Sequence, residues 1–306
     1  MRFHKGFDTY YGNAHDNRVR RGICGRAVHG CGNTGKSQRM GYKHANRRGN
    51  RHPHSSARSL GARNNAWTAD RLQLGKVCHL RNLTIILPTL NEAKNVPLLI
   101  RKILQIRKNL HIIVSDDGSK DRTKKAVLSL SSKQVLFLDR KNKKIHGLTA
   151  SVIDAILHTK TPYFIVMDAD FQHPVKTINE LLAYLEAGAD MAVACRAEKV
   201  KEALPPHREL FSQGAHLLAS ARLTLAGKST PPDLMSGFFG MRTSLAKALI
   251  LRHSFQLEGY KIMFELLKHM PSDAEIACVP YKFSPRGRGA SKFNARHMLY
   301  FLRSLA

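Results

Sequence analysis

The chain has 306 residues, 43% of them hydrophobic, enough apolar side chain for one large domain or two small ones. Fifty Lys and Arg against 22 Asp and Glu give a formal net charge of +28, which calls for an anionic partner: nucleic acid, phosphorylated substrate or acidic membrane surface. No run of about 18 apolar residues exists to span a bilayer, and the opening residues lack the apolar core of a secretion signal.

Composition divides the chain. Residues 1–76 carry 16 Lys/Arg, 3 Asp/Glu and six His with almost no apolar run, and such a stretch cannot offset its chain entropy by burial. Three readings fit this basic, disordered segment: an arm that touches RNA or anionic lipid, a targeting extension, or translation from a start codon placed too early. The abrupt change of composition favours the last, with the arm next. Gly30, Gly35, Lys36 and Ser37 have phosphate-loop spacing, but neither a buried strand before them nor an amphipathic helix after them. Cys24, His29, Cys31 and His44 match no common zinc spacing. The five cysteines, at 24, 31, 78, 195 and 278, are odd in number and scattered, which predicts free thiols in a reducing compartment.

From Arg81 onward the pattern changes. The runs LTIILPT (83–89), HIIVS (111–115), QVLFLD (134–139), YFIVMD (163–168) and DMAVAC (190–195) predict buried parallel strands. Helical patterns alternate with them over 92–108, 121–130, 148–158 and 175–187. The fold class is therefore α/β, a mostly parallel twisted sheet with helices on both faces. Ligands of such sheets bind past the strand C-termini, where this chain places PTLNEAKN, DDGSKDRT and DADFQHP. Asn91 and Ser119 also read as helix caps, and Asp as a turn former. Three acidic or amide exits from one sheet nevertheless point to a cation between them. Asp168 and Asp170 alternate at one strand end and Gln172 adds a neutral oxygen, a donor set suited to Mg²⁺ or Mn²⁺.

ILPTLNE, VSDDGSKD and MDADFQHP, in this order, resemble family 2 glycosyltransferases with the GT-A nucleotide-sugar fold. DLMSGFFGMR (233–242), EGYKIMFELL (258–267) and VPYKFSPRGRGASKF (279–293) are similar to the dolichyl-phosphate mannose synthases within it. The resemblance covers residues 81–295, expected to be the glycosyltransferase domain. It implies transfer of mannose from GDP-mannose to dolichyl or polyprenyl phosphate with inversion. It also implies that Pro88, Leu90 and Glu92 line the base and ribose, that Asp117 contacts one of them, and that Asp168 and Ala169 line the sugar nucleotide. Asp168, Asp170 and Gln172 would hold the metal, and Arg196 would lie near the donor. Arg286 and Lys292 match a basic loop that closes over phosphates, while Arg208 and Ser212, four apart on a helix predicted over 204–226, match the pair that binds the lipid phosphate.

Three departures loosen the donor assignment: Leu90 and Ala197 stand where the family often has Tyr, and Ser115 replaces an apolar residue. A UDP-sugar donor therefore stays open, as do a basic RNA-binding protein and an inactive scaffold. Nucleic acid is disfavoured because the aromatics lie inside apolar strands and helices. Residues 296–306 read as an amphipathic helix that lies in a membrane interface or docks on the sheet. The expected location is cytoplasmic, peripheral on the cytosolic face of a membrane, with the anchor, or a small transmembrane partner subunit, left open.

Overall fold

The computed structural model describes residues 83–196, 206–282, 299–300 and 303–305, without the side chains of 206–213. The basic segment 1–76 lies outside them. The apolar runs form strands β1 (Leu83–Thr89), β2 (His111–Asp116), β3 (Val135–Asp139), β4 (Tyr163–Val166) and β5 (Met191–Arg196). Two short strands follow, β6 (Phe239–Arg242) and β7 (Ile276–Tyr281). The helices are α1 (Val96–Ile106), α2 (Thr123–Leu128), α3 (Leu148–His158), α4 (Thr177–Glu186), α5 (Pro206–Leu225), α6 (Thr243–Arg252) and α7 (Ile262–His269).

The seven strands form one sheet in the order β3-β2-β1-β4-β6-β5-β7. β1 pairs in parallel with β2 and β4, β2 with β3, and β5 with β7; β6 runs antiparallel between β4 and β5. The mostly parallel sheet is thus as expected, with one reversed strand. That reversal brings the N-terminal end of β6 to the edge where β1, β2, β4, β5 and β7 end. Gly240 makes room for it, because a Cβ there would stand 2.8 Å from Ile165 Cγ1 and 2.9 Å from Leu185 Cδ1.

Alternation along the strands separates the two faces. Ile85, Leu87, Ile112, Val114, Ile165 and Ala192 share a core with Val96, Leu99, Ile100 and Ile103 of α1 and Ile178, Leu181, Leu182 and Leu185 of α4. Both helices bury residues at i, i+3, i+4 and i+7, a one-sided apolar stripe. Each fully buried Leu or Ile of this kind contributes roughly 1.5–3 kcal/mol. The helix α3 covers β1 and β2 and also packs against α6 and α7, so eight of its eleven residues are buried. Ser115, polar where the core is apolar, donates its hydroxyl to the Ser151 carbonyl of α3 at 2.8 Å.

Free thiols were expected of all five cysteines; the structure corrects this for two, since Cys195 and Cys278 form a disulfide. The register pairs Val193 with Cys278 and Cys195 with Pro280, which makes the cysteines diagonal neighbours on one sheet face with Cα atoms 5.9 Å apart. Their 83-residue separation hides that adjacency in the sequence. In the C-terminal stretch, Lys268 of α7 donates to the Ser304 carbonyl at 2.6 Å and Arg222 of α5 to that of Leu305 at 3.2 Å. The described residues there dock on helices. Among the described residues, no helix is long and apolar enough to cross a membrane.

Candidate active site

Two exit loops are tied to each other. Asn91, in the left-handed region at φ 55°, donates its N–H to Ser119 Oγ at 2.7 Å and accepts from the Lys120 N–H at 2.8 Å. The Glu92 N–H donates to Thr123 Oγ1 at 2.9 Å and the Ala93 N–H to Asp121 Oδ2 at 3.1 Å. Burial pushes the Asp121 carboxyl up, but hydrogen bonds from Thr123 and Ala93 outweigh it and hold the group below its usual range. Asn91 and Ser119 are loop braces here, not caps: α1 begins only at Val96, after Asn95, whose amide donates to Glu92 Oε2 at 2.8 Å. Pro88 is half-buried opposite Ser115, and Leu90 is exposed beside the loop.

Asp117 follows β2. It accepts from the Gly147 N–H at 2.7 Å, lies 3.1 Å from His146 Nδ1 and pairs with Arg140. Burial raises its carboxyl above the usual range, although Gly147, Arg140 and His146 act against the rise. Arg140 is fully buried and also donates to Asp154 Oδ2 of α3 at 2.7 Å and to the Ile145 carbonyl at 2.9 Å. Asp117 therefore anchors the loop after β3 at the edge of the crevice.

The centre of the edge is the exit of β4. Asp168 is half-exposed, with Oδ2 3.3 Å from His173 Nε2. Ala169 and Asp170 are buried, and the Gln172 N–H donates to Asp170 Oδ1 at 3.1 Å across Phe171, which is left-handed at φ 65°. Among the described residues, no three His, Cys, Asp or Glu side chains gather to hold a metal ion. Two carboxylates and one amide oxygen do fit a hard cation that takes its other ligands from phosphates and water.

β5, β6 and β7 close the far side. Arg196 Nε and Nη2 donate to Asp233 Oδ2 and Oδ1 at 2.8 and 3.1 Å, a bidentate pair. Ser236 donates to the Ala194 carbonyl at 2.9 Å, and Lys261 Nζ to the Met235 carbonyl at 3.1 Å. Burial lowers the Lys261 ammonium to about 8, with Asp168 and Asp233 opposing the fall. These contacts press the loop before β6 onto Asp168.

The structure thus brings Pro88, Leu90, Glu92, Asp117, Asp168, Ala169, Asp170, Gln172 and Arg196 to one edge of the sheet. Arg208 and Ser212 fall one turn apart on α5, and their side chains lie outside the described residues, as do Arg286 and Lys292. Sequence reasoning assigned no role to Arg140, His146, His173, Asp233, Gly237, Lys261 or Tyr281. Most of these stand in quoted motifs, but only the interleaving of β6 and the β5–β7 pairing brings them together.

An open α/β sheet with an acidic crevice at its C-terminal edge is the arrangement in which α/β enzymes bind their ligands. The sequence pattern of glycosyl transferase family 2 matches residues 84–250, and the chain belongs to that family. It is 33% identical over 227 residues to a dolichol-phosphate mannosyltransferase of Pyrococcus furiosus, covering 73% of this chain and 62% of that protein. It is 32% identical over 210 residues to one of Mycosarcoma maydis, covering 64% and 66%. The chain thus spans less than two thirds of the length of either. Against the Saccharomyces cerevisiae dolichol-phosphate mannosyltransferase the identity is 29% over 235 residues, covering 72% and 85%. The fold is shared with glucosyl-3-phosphoglycerate synthase of Mycobacterium tuberculosis, solved with Mn²⁺, UDP-glucose and phosphoglyceric acid. There the TM-score is 0.57 at 18% identity, over 78% of this chain and 83% of that one.

Proposed function

We propose that this chain transfers mannose from GDP-mannose to the phosphate of dolichol or another polyprenol, inverting the anomeric centre to give a β-linked polyprenyl mannosyl phosphate. The observation that carries the reading is the Asp168–Gln172 loop at the middle of the crevice, in a chain similar to proteins named dolichol-phosphate mannosyltransferase.

In this reading Pro88, Leu90, Glu92 and Asp117 flank the base and ribose, and Asp168 and Ala169 line the sugar and diphosphate. Asp168, Asp170 and Gln172 hold Mg²⁺ or Mn²⁺, which when bound offsets the charge of the departing diphosphate. Arg196, held in place by Asp233, stands on the donor side. Arg208 and Ser212 position the acceptor phosphate, while Arg286 and Lys292 neutralise the two anions as they approach. An acceptor phosphate is mostly ionised near neutral pH, so the chain needs no strong general base. A phosphate oxygen forms its bond to the anomeric carbon from one face, and the bond to the nucleoside diphosphate breaks on the other with its electron pair.

The acceptor's lipid chain brings the enzyme to a membrane surface, peripheral on the cytosolic side. Leu217, Leu218 and Leu225 of α5 are 70%, 49% and 88% exposed, an apolar face that supports such contact. The test is transfer of label into organic solvent from GDP-mannose, UDP-glucose or UDP-N-acetylglucosamine, with short polyprenyl phosphate and Mg²⁺ or Mn²⁺. Metal-dependent transfer from GDP-mannose, abolished by Asp170→Ala, is expected. Transfer from a UDP-sugar alone would reassign the donor, and no transfer from any donor would sink the proposal.

A further inference from the structure

His173 has no part in the roles above, yet it is buried beside them. It is 5% exposed, with its ring 4.9 Å from that of Phe238 and 5.7 Å from that of Tyr281. Phe238 meets Tyr281 edge-on at 6.0 Å, so the imidazole lies in an aromatic wall. Both ring nitrogens have polar partners: Nε2 is 3.3 Å from Asp168 Oδ2 and Nδ1 is 3.1 Å from the Tyr281 hydroxyl. A carboxylate oxygen only accepts, so Nε2 carries the proton between His173 and Asp168. In the neutral ring Nδ1 then holds a lone pair and accepts the phenol hydrogen. Burial pushes the Tyr281 phenol well above its ordinary range, so that hydrogen stays available.

Asp168 Oδ2 also lies beside Gly237, where a Cβ would stand 2.7 Å away. The carboxylate therefore has two close neighbours, His173 of the β4 exit, itself bonded to Tyr281 of β7, and Gly237 of the loop before β6. We infer that His173, with Tyr281 behind it, is a positioning residue that holds Asp168 in the single orientation a divalent cation and a sugar diphosphate need. The inference rests on the donor and metal reading of the crevice. An aspartate without such partners turns broadly about its last torsion, and a cation would have to halt that motion on binding.

Mn²⁺ binding to the full chain, followed by electron paramagnetic resonance with GDP present, tests this in wild type, His173→Ala, His173→Gln and Tyr281→Phe. Donor KM, kcat and thermal melting are measured alongside. Loss of an outer hydrogen-bond partner typically weakens metal binding by about 10–100-fold, which is expected of His173→Ala. His173→Gln, whose amide N–H reaches as far as Nε2, restores most of that loss, and Tyr281→Phe gives a smaller weakening of the same kind. Wild-type affinity in a folded His173→Ala overturns the inference, and so does a His173→Gln as weak as Ala. If the Ala variant fails to fold, an unchanged Mn²⁺ affinity in Tyr281→Phe overturns the relay by itself. Wild type that binds no Mn²⁺ with GDP overturns the metal reading and this inference together; wild type that binds, with every variant its equal, overturns this inference alone.

Discussion

Gly237 and Asp168 stand so close that no side chain fits between them: a Cβ on Gly237 would lie 2.7 Å from Asp168 Oδ2 and 3.3 Å from its Cγ. The requirement is one of space, imposed where the reversed strand β6 reaches the exit of β4. Gly237→Ala should therefore push the half-exposed carboxylate aside without opening the core. Since misplacing a reacting or binding group by about 1 Å can cost roughly 100-fold, kcat/KM should fall by about 10–100-fold. Thermal melting should move little. Wild-type kinetics in this variant would show that Asp168 need not stay where it is.

Arg140 is a fully buried cation held by Asp154 at 2.7 Å and by Asp117. Removing one member of such a cluster leaves the others buried and uncompensated, which costs about 3–5 kcal/mol. Arg140→Met should lower the midpoint of urea unfolding accordingly. Adding Asp154→Asn should recover part of the loss, because it removes the stranded charge. A double variant no more stable than the single one would mean that the pairing is incidental to the fold.

His269, on the last turn of α7, has its ordinary value lowered to about 4 by burial first and then by the nearby His253 and Lys268. Its ring stacks on His253 with centroids 4.4 Å apart. Between pH 4 and about 6.5 the unfolded chain binds a proton at this site that the folded chain does not, so stability rises with pH across that window. Acidification through the same window removes it. Allowing for the ring's partial exposure, the span is roughly 1–2 kcal/mol. Denaturant midpoints of wild type minus His269→Phe at pH 7, 6, 5 and 4 should show the slope. Parallel curves for the two proteins would dissociate it from His269.

The strands carried by LTIILPT and HIIVS were legible because burial on both faces demands unbroken apolar, β-branched residues, which is local information. The acidic exits were legible for the same reason, since residue type at a strand end needs no knowledge of the neighbouring strands. β6 was not. Its four residues lie within DLMSGFFGMR, too short to show a period, and its direction follows from pairing with β4 and β5. Everything that depends on β6 was hidden with it: Gly237 against Asp168, Asp233 beneath Arg196, and the aromatic wall around His173. Asp117 was legible as a carboxylate at a strand exit, but its bond to Arg140 reaches across 23 positions and hangs on the β2–β3 register. The cysteine count misled because parity carries no information about which strands lie side by side.

The four hydrogen bonds between 91–93 and 119–123 make β1, α1, β2 and both exit loops a single heritable block. A recombinant that imports a 119–123 loop lacking Ser119, Asp121 and Thr123 loses the three bonds these side chains accept, each worth about 1 kcal/mol, and one that loses Asn91 gives up the fourth, so either exchange loosens both walls of the crevice. Crossovers placed before residue 83 or after residue 123 keep the block whole. A change of ligand preference at this edge is thus best sought by transplanting the block as a unit.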